Sequence, residues 1–276
     1  MILPRLSIEL ITKGERTLIE VLRSIEAQDF DDYEVVCVNS STDPNTSMVI
    51  SEFGATEIIT DVKTKALEAR LIAHENSHCD FSLLLDSTRV LTKDALCFVM
   101  REYSSRDMVC LREGSLGEGF WIEQASILRQ LSENQADRAI SNVSAYILPR
   151  FYRASLLDRA FDFIRENLSF QLLKEISYGE HHLIFESAYR FSKDITLSNT
   201  VLIEHYEDDS LAAIFRKYRW YGLSQRTLNS IPFDSNVKRL TSHLRRAIFR
   251  DFTLYTKSIP LNLARSIAFF IGYYVG

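Results

Sequence analysis

Short apolar runs alternate with amphipathic segments over the first 110 residues, and this alternation constrains the fold more than any other feature of the chain. An apolar run that ends in a polar turn predicts a buried strand, whereas apolar residues at positions i, i+3, i+4 and i+7 predict a helix. The predicted elements are strands 6–11, 33–38, 55–60, 81–86 and 107–111, with helices 15–28, 44–53, 64–78 and one that begins near Asp94. Strands separated by single helices require parallel, right-handed crossovers. We therefore predict an α/β fold with a central, mostly parallel sheet and helices on both faces.

The second half of the chain is predicted to be mainly helical. Glycines are spaced through residues 112–121, REGSLGEGFW, and predict a loop that is either a flexible surface segment or a substrate lid. The predicted helices cover 154–166, 169–177, 181–191 and 210–228, and the β-branched run at 196–205 predicts one further strand.

Composition and charge exclude several classes of protein. A chain of 276 residues that is 46% hydrophobic, with only 9 Gly and 5 Pro, can bury a full core, so a disordered or collagen-like chain is excluded. The net charge of −5 argues against a protein whose whole surface binds nucleic acid. The four cysteines form no C-x-x-C pair, which favours buried, reduced thiols and an intracellular setting over a zinc site.

The charge is unevenly distributed along the chain. Residues 236–276 contain seven Lys or Arg and one Asp, so they carry +6, and residues 1–235 carry −11. Phe, Leu, Ile and Tyr alternate with these cations, which is typical of a basic amphipathic segment that lies on a membrane. Residues 259–276 are barely long enough to cross a bilayer and include Arg265, so lying on the membrane is favoured over crossing it. The alternative is a terminal helix that packs on the domain or forms an oligomer contact.

Polar residues follow the predicted strands at their carboxyl ends, where ligands bind in parallel sheets. Thr12, the run from Asn39 to Asp43, and Asp86 occupy such ends. A carboxylate at the position of Asp86, with Thr88 two residues on, suits either a divalent cation or an ordinary turn. Arg70 is either a guanidinium clamp for phosphate or a solvated helix residue.

The second half holds further candidates. Glu180, His181 and His182 begin a predicted helix, and His205 ends a predicted strand. A histidine can accept a proton or bind a metal near neutral pH, although a single histidine is more often a packed or surface residue. Arg219 and Trp220 belong to a helix that either packs its aromatic residues inward or contacts a phosphate-bearing acceptor.

In their order along the chain, these segments resemble the family 2 glycosyltransferases, which have the GT-A fold. The resemblance covers about residues 6–228 and rests on the following segments: LSIELITKGERTLIEVLRSIEAQDF, YEVVCVNSSTD, ALEARLIAHENS, FSLLLDSTRVLTKDAL, ILPRFYRASLLD, YGEHHLIFESAYRF, LIEHYEDDS and FRKYRWYG. It implies a GT-A, Rossmann-like sheet followed by a mainly helical C-terminal extension. It also divides the chain into a nucleotide-sugar-binding half (1–111), an acceptor-binding and catalytic half (112–235) and the basic tail (236–276).

The resemblance implies a role for each candidate, position by position. Thr12, Asn39 and Asp43 would line the nucleotide pocket, Arg70 would approach the diphosphate, and Asp86 would hold a divalent cation, Mg or Mn. Thr88 and His205 would complete the cation site, Glu180 and His181 would replace the catalytic carboxylate pair, and Arg219 and Trp220 would contact the acceptor or a phosphate.

Three departures from the family pattern bear on these roles. The usual Asp-x-Asp is Asp86-Ser87-Thr88, which lacks the second carboxylate and weakens cation binding. Asn39 replaces an aspartate in a turn that is one residue shorter, which alters base recognition. His181 stands where the catalytic base usually lies, and the sequence leaves open whether His181 or Glu180 is the base.

The function implied is inverting transfer of a sugar from a nucleotide-diphosphate sugar to a hydroxyl of a glycan or lipid-linked acceptor. The protein would be cytoplasmic and peripheral on the inner face of the membrane, with a possible homo-oligomer and no nucleic-acid partner. Two alternatives remain: a non-catalytic nucleotide-sugar-binding or assembly subunit with degenerate motifs, and a nucleotidyltransferase.

Overall fold

The computed structural model describes residues 5–136, 147–229, 231 and 252–275. The strands are β1 (Leu6–Thr12), β2 (Tyr33–Asn39), β3 (Thr56–Ile59), β4 (Phe81–Asp86), β5 (Arg89–Leu91), β6 (Met108–Leu116), β7 (Phe151–Arg153) and β8 (Ile195–Tyr206). The helices are α1 (Leu18–Glu26), α2 (Pro44–Glu52), α3 (Ala66–Glu75), α4 (Ala95–Tyr103), α5 (Phe120–Ala136), α6 (Ala154–Asn167), α7 (Phe170–Leu173), α8 (Glu180–Phe191), α9 (Leu211–Asn229), α10 (Phe252–Lys257) and α11 (Ile259–Tyr274).

The eight strands form one sheet in the order β3-β2-β1-β4-β7-β6-β8-β5. Strands β1 to β4 are parallel to their neighbours within that group, and β6 is parallel to β8. β7 is antiparallel to both β4 and β6, and β5 is antiparallel to β8. The predicted α/β class with a mostly parallel sheet is confirmed.

Side chains alternate across the sheet and bury both faces under helices. Leu83 and Leu85 of β4 join the core beneath α1 and α4, whereas Leu84 between them joins the core beneath α6 and α8. Burial on both faces explains why β4 is a continuous apolar run rather than an alternating one.

The structure differs from the predicted elements in the middle of the chain. β5 and β7 are three residues each, too short to give a periodic signal. Residues 112–121 are not a loop, because β6 continues to Leu116 along β8 and α5 begins at Phe120. β-bulges around Arg112 break the alternation there, which hides the strand in the sequence. The predicted division between 111 and 112 lies within β6.

The described part of the C-terminal extension is helical, as predicted, and packs against the domain. α11 crosses α9 at Gly222 and Gly272, where an added methyl group would collide with the main chain of Phe269 or Arg219. This contact agrees with the packed-helix alternative for residues 252–275. Residues 236–251 of the predicted tail lie outside the described residues. No helix within the described ranges combines the length and hydropathy required to cross a bilayer.

An acid–histidine–acid cluster joins β1, α3 and α6, with Glu9 and His74 buried and Asp158 exposed at the surface. Nδ1 of His74 lies 2.8 Å from Oε1 of Glu9, and Nε2 lies 3.1 Å from Oδ1 of Asp158. Burial by itself would lower the pKa of His74, but the hydrogen bond and charge of Glu9, with the charge of Asp158, raise it overall. The cluster therefore favours a charged imidazole inside the fold.

We expect His74→Gln to destabilise the protein at pH 6 by about 1.5–3 kcal/mol, the usual value of a hydrogen bond to a charged group. Because the folded-state pKa exceeds the ordinary 6.5, this stabilisation is complete below about pH 6.5 and is lost as pH rises through the folded-state value. Urea unfolding of both proteins between pH 6 and 8.5 should show the difference shrinking with pH. The exposed His78→Gln variant is the control, and a difference independent of pH would contradict the prediction.

Candidate functional site

A cleft of about 1300 Å³ lies at the carboxyl ends of β1, β4 and β8. Thr12, Asp86 and His205 line it from these strand ends, and the beginnings of α3 and α8 form further walls. Parallel strands place their carboxyl ends at one edge of the sheet, which is where the sequence predicts the ligand. The volume exceeds the ~300–1000 Å³ of an ordinary small-molecule pocket, so the cleft has room for a ligand larger than a typical small molecule.

The predicted nucleotide-pocket residues separate into two groups. Thr12 lines the cleft, and its hydroxyl donates to Oε2 of Glu15 at 2.8 Å. Asn39 is buried and donates to Oε1 of Glu57 at 2.7 Å, while Asp43 accepts from the main-chain N–H of Asn45 and caps α2. Asn39 and Asp43 thus shape the turn after β2 without lining the cleft.

Both carboxylate oxygens of Asp86 are occupied by guanidinium groups. Oδ1 accepts from Arg70, and Oδ2 accepts from Arg89 and, at 3.5 Å, from Arg150. Burial alone would raise the pKa of Asp86, but the charges of Arg70, Arg89 and Arg150 hold it well below its usual range. Asp86 is therefore ionised at neutral pH and forms salt bridges with three arginines.

Arg70 is fully buried and does not line the cleft. Its Nη1 donates to the main-chain carbonyls of Glu9 at 3.0 Å and Leu85 at 2.7 Å, so it ties β1 to β4. Arg70 pairs with Asp86 from within the core, so its guanidinium does not reach the open cleft where the resemblance implies a diphosphate contact.

A second group of charges, which sequence reasoning missed, extends the network along β6. Glu113 accepts from Nε of Arg89 at 3.1 Å, Nη1 of Arg129 at 2.5 Å and Nε of Arg150 at 2.7 Å. Arg129 also pairs with Glu207. These residues are far apart in the sequence and follow no recognisable spacing. The sequence therefore shows that they are charged but does not indicate that they contact one another.

His205 belongs to this second group. Its Nδ1 lies 3.1 Å from Oε1 of Glu207 and its ring faces Arg129. Burial first, and then the charge of Arg89, lowers the pKa of His205 to about 4 despite Glu207, so the imidazole is neutral at physiological pH.

The residues predicted to hold a divalent cation do not fit one. Asp86, Thr88 and His205 all line the cleft, but both oxygens of Asp86 are bound by arginines and Nδ1 of His205 faces Arg129 and Glu207. The three guanidinium groups that contact Asp86 would repel a cation bound to its carboxylate. Within the described ranges, no group of three His, Cys, Asp or Glu residues is arranged to bind a metal.

Glu180 and His181 begin α8 at the cleft wall, after Gly179 in a left-handed conformation with φ of 80°. Nε2 of His181 lies 3.3 Å from Nη2 of Arg70 and 3.3 Å from Nη1 of Arg150. Because guanidinium groups only donate, Nε2 accepts and its lone pair is engaged. Burial, followed by the charge of Arg150, lowers the pKa of His181 to about 3.

Glu180 is the better proton acceptor of the two. Its carboxylate lines the cleft, with Oε1 at 3.6 Å from Nε2 of His181. Burial raises the pKa of Glu180, and the charge of Asp86 adds to this effect while Arg70 and Arg150 oppose it. A carboxylate with a raised pKa holds a proton more readily at neutral pH than an ordinary one.

Aromatic residues of α9 and α11 form the remaining wall. Trp220 lines the cleft, and the rings of Tyr178 and Tyr221 stack at 3.9 Å nearby. Arg265 of α11 lies over the ring of Tyr218, with 4.9 Å from its guanidinium carbon to the ring centroid. Arg219, by contrast, is exposed on α9 and does not line the cleft, so the structure brings only Trp220 of the predicted pair to the site.

Comparisons with known proteins give likeness in structure alone. No protein-family model matches the sequence, and no curated protein does either. S. aureus TarS 1–349 in complex with UDP-GlcNAc is 18% identical with a TM-score of 0.54, over 98% of this chain and 81% of that one. The mannosyltransferase PcManGT from Pyrobaculum calidifontis, in complex with GDP-Man and Mn²⁺, is 14% identical with a TM-score of 0.58, over 97% and 76%.

A longer S. aureus TarS structure matches with 18% identity and a TM-score of 0.53, over 90% of this chain. The match covers 44% of that protein, so this chain spans less than half of its length. At such identities the likeness establishes the fold, and the chain has the GT-A fold that the sequence resemblance predicts.

Proposed function

We propose that this chain is a glycosyltransferase that moves a sugar from a nucleotide-diphosphate sugar to an acceptor hydroxyl. The observation that carries the proposal is the carboxylate of Glu180, which lines a cleft at the strand ends of a GT-A fold and has a raised pKa. Structures of this fold hold UDP-GlcNAc in TarS and GDP-Man in PcManGT, which supports a nucleotide-sugar donor for this cleft. The family 2 assignment and an inverting outcome are part of the proposal.

The reaction is a single displacement at the anomeric carbon. The acceptor oxygen forms a bond to that carbon while the bond to the diphosphate oxygen breaks, and the electron pair leaves with the nucleoside diphosphate. Glu180 takes the proton of the acceptor hydroxyl, as a general base positioned at the cleft wall. Attack on the face opposite the leaving group inverts the configuration.

The proposal is tested by incubating the protein with UDP-GlcNAc or GDP-Man and measuring release of UDP or GDP, with water or added glycan and lipid-linked acceptors. We expect release from at least one donor. Saturable binding without release would support a non-catalytic binding subunit, and pyrophosphate release from UTP or GTP would support a nucleotidyltransferase. Either outcome would replace the proposed reaction.

We further propose that α11 lies on an anionic membrane surface on the cytoplasmic side. Its outward face exposes an apolar stripe with helical spacing: Ile259, Leu263, Ile267 and Ile271. The segment 236–276 carries +6, which complements anionic lipid. The opposite face of α11 lines the cleft, so this orientation would bring the cleft close to a lipid-linked acceptor.

Leu263→Glu should weaken binding to vesicles that contain phosphatidylserine by about tenfold, since it removes an apolar contact and adds a negative charge. Leu211→Glu is the matched control, because Leu211 is 45% exposed on α9 and Leu263 is 58% exposed on α11. Co-sedimentation with vesicles measures both variants. Equal binding of the wild type and Leu263→Glu would rule out contact through this stripe.

A further inference from the structure

Three arginines line the cleft at the place where the resemblance implies a metal ion: Arg89, Arg129 and Arg150. We infer that these guanidinium groups take the place of a divalent cation: they bind the diphosphate of the donor and neutralise the leaving nucleoside diphosphate. This inference rests on the proposed function. The inference departs from PcManGT, whose structure contains Mn²⁺.

The first argument is the position of the arginines. Arg89 follows β4 by three residues and pairs with Asp86, the residue that would otherwise hold the metal. Arg150 contacts the same carboxylate from the segment before β7, with its Nη1 also donating to the carbonyl of Leu84 at 3.2 Å. The guanidinium groups of Arg89 and Arg150 therefore already occupy the place where a metal ion would have to bind.

The second argument is the charge of the cluster. Four guanidinium groups, those of Arg70, Arg89, Arg129 and Arg150, are paired with three carboxylates, those of Asp86, Glu113 and Glu207. His181 and His205 face the cluster, and Glu180 adjoins it through His181. When Glu180 is ionised, as a general base must be, four carboxylates balance the four guanidinium groups. A phosphate oxygen can still accept from the guanidinium groups around Asp86, whereas a cation finds both oxygens of Asp86 already engaged.

The third argument is orientation. Glu113 accepts hydrogen bonds from all three cleft arginines and holds them in place before any ligand arrives. Among the hydrogen bonds of the described residues, Arg89 and Arg150 use their Nε and Nη1 atoms, so Nη2 of each is available to a phosphate oxygen. A planar guanidinium suits phosphate geometry, and donors held in advance reorganise little as charge develops on the leaving group.

The test is titration calorimetry of the full chain with UDP, GDP, CDP, ADP and dTDP, in EDTA and again with MnCl₂. We expect at least one nucleotide to bind, with a Kd that changes less than tenfold between the two conditions. A tenfold or greater gain in affinity with Mn²⁺ would overturn the inference while leaving the proposed function intact. Absence of binding by all five nucleotides in both conditions would overturn the proposed function and the inference together.

A variant series examines the arginines themselves. In EDTA, Arg89→Ala should weaken nucleotide binding at least tenfold, Arg89→Lys should recover part of the loss, and the exposed control Arg23→Ala should bind as the wild type does. Unchanged affinity in folded Arg89→Ala would overturn the role of Arg89. If Arg89→Ala fails to fold, the comparison of EDTA with MnCl₂ on the wild type still decides the inference.

Discussion

Glu180→Gln is expected to lower kcat by about 10²–10⁴-fold, the usual contribution of a positioned general base. Glutamine preserves the size of the side chain and its place at the cleft wall, but it cannot take a proton. Nucleoside diphosphate should still bind, because the residues that face the expected diphosphate are unchanged. The rate of UDP or GDP release measures the first effect, and calorimetry measures the second.

The pH dependence separates this role from a structural one. A general base acts only when ionised, so kcat should rise with pH through the pKa of Glu180, which burial and Asp86 raise above the ordinary 4.5. This rising limb should disappear in Glu180→Gln.

Two further variants identify the base. His181→Gln should reduce kcat less than Glu180→Gln, because the lone pair of Nε2 is engaged by Arg70 and Arg150. The exposed Glu26→Gln on α1 should behave as the wild type does. If His181→Gln abolished turnover and Glu180→Gln did not, the roles of the two residues would be reversed.

Arg70→Ala is expected to destabilise the fold by about 3–5 kcal/mol, the usual cost of removing one partner from a buried ion pair. The guanidinium is fully buried, and its loss leaves the carbonyls of Glu9 and Leu85 and part of the Asp86 carboxylate without a donor. Urea unfolding monitored by circular dichroism gives the change in the free energy of unfolding.

The matched control for Arg70→Ala is Arg23→Ala, whose salt bridge with Glu20 is exposed and should contribute no more than about 1 kcal/mol. A loss below about 1 kcal/mol in Arg70→Ala would contradict the structural role of Arg70. Such a result would favour the direct phosphate contact that the resemblance implies.

Local patterns predicted the elements whose signal lies within a few neighbouring residues. The spacing of Leu18, Val21, Leu22 and Ile25 predicts α1, and all four residues are buried there. The sequence also predicts the polar turn after β2, but it does not predict the geometry of that turn. Asn39 turns inward to Glu57, 18 residues away, which no local pattern indicates.

The sequence by itself determined the α/β alternation, the strand ends at which Thr12 and Asp86 lie, and the position of Glu180 at a helix start. These features depend on periodicity and on turn residues, which are local properties of the chain. Only the tertiary structure decided that Arg89 meets Glu113, that Arg150 meets Asp86 and that Arg129 meets Glu207, because these partners are 24, 64 and 78 residues apart. Ion pairs at such separations leave no periodic trace, so the cationic character of the cleft emerges only when the strands assemble into one sheet.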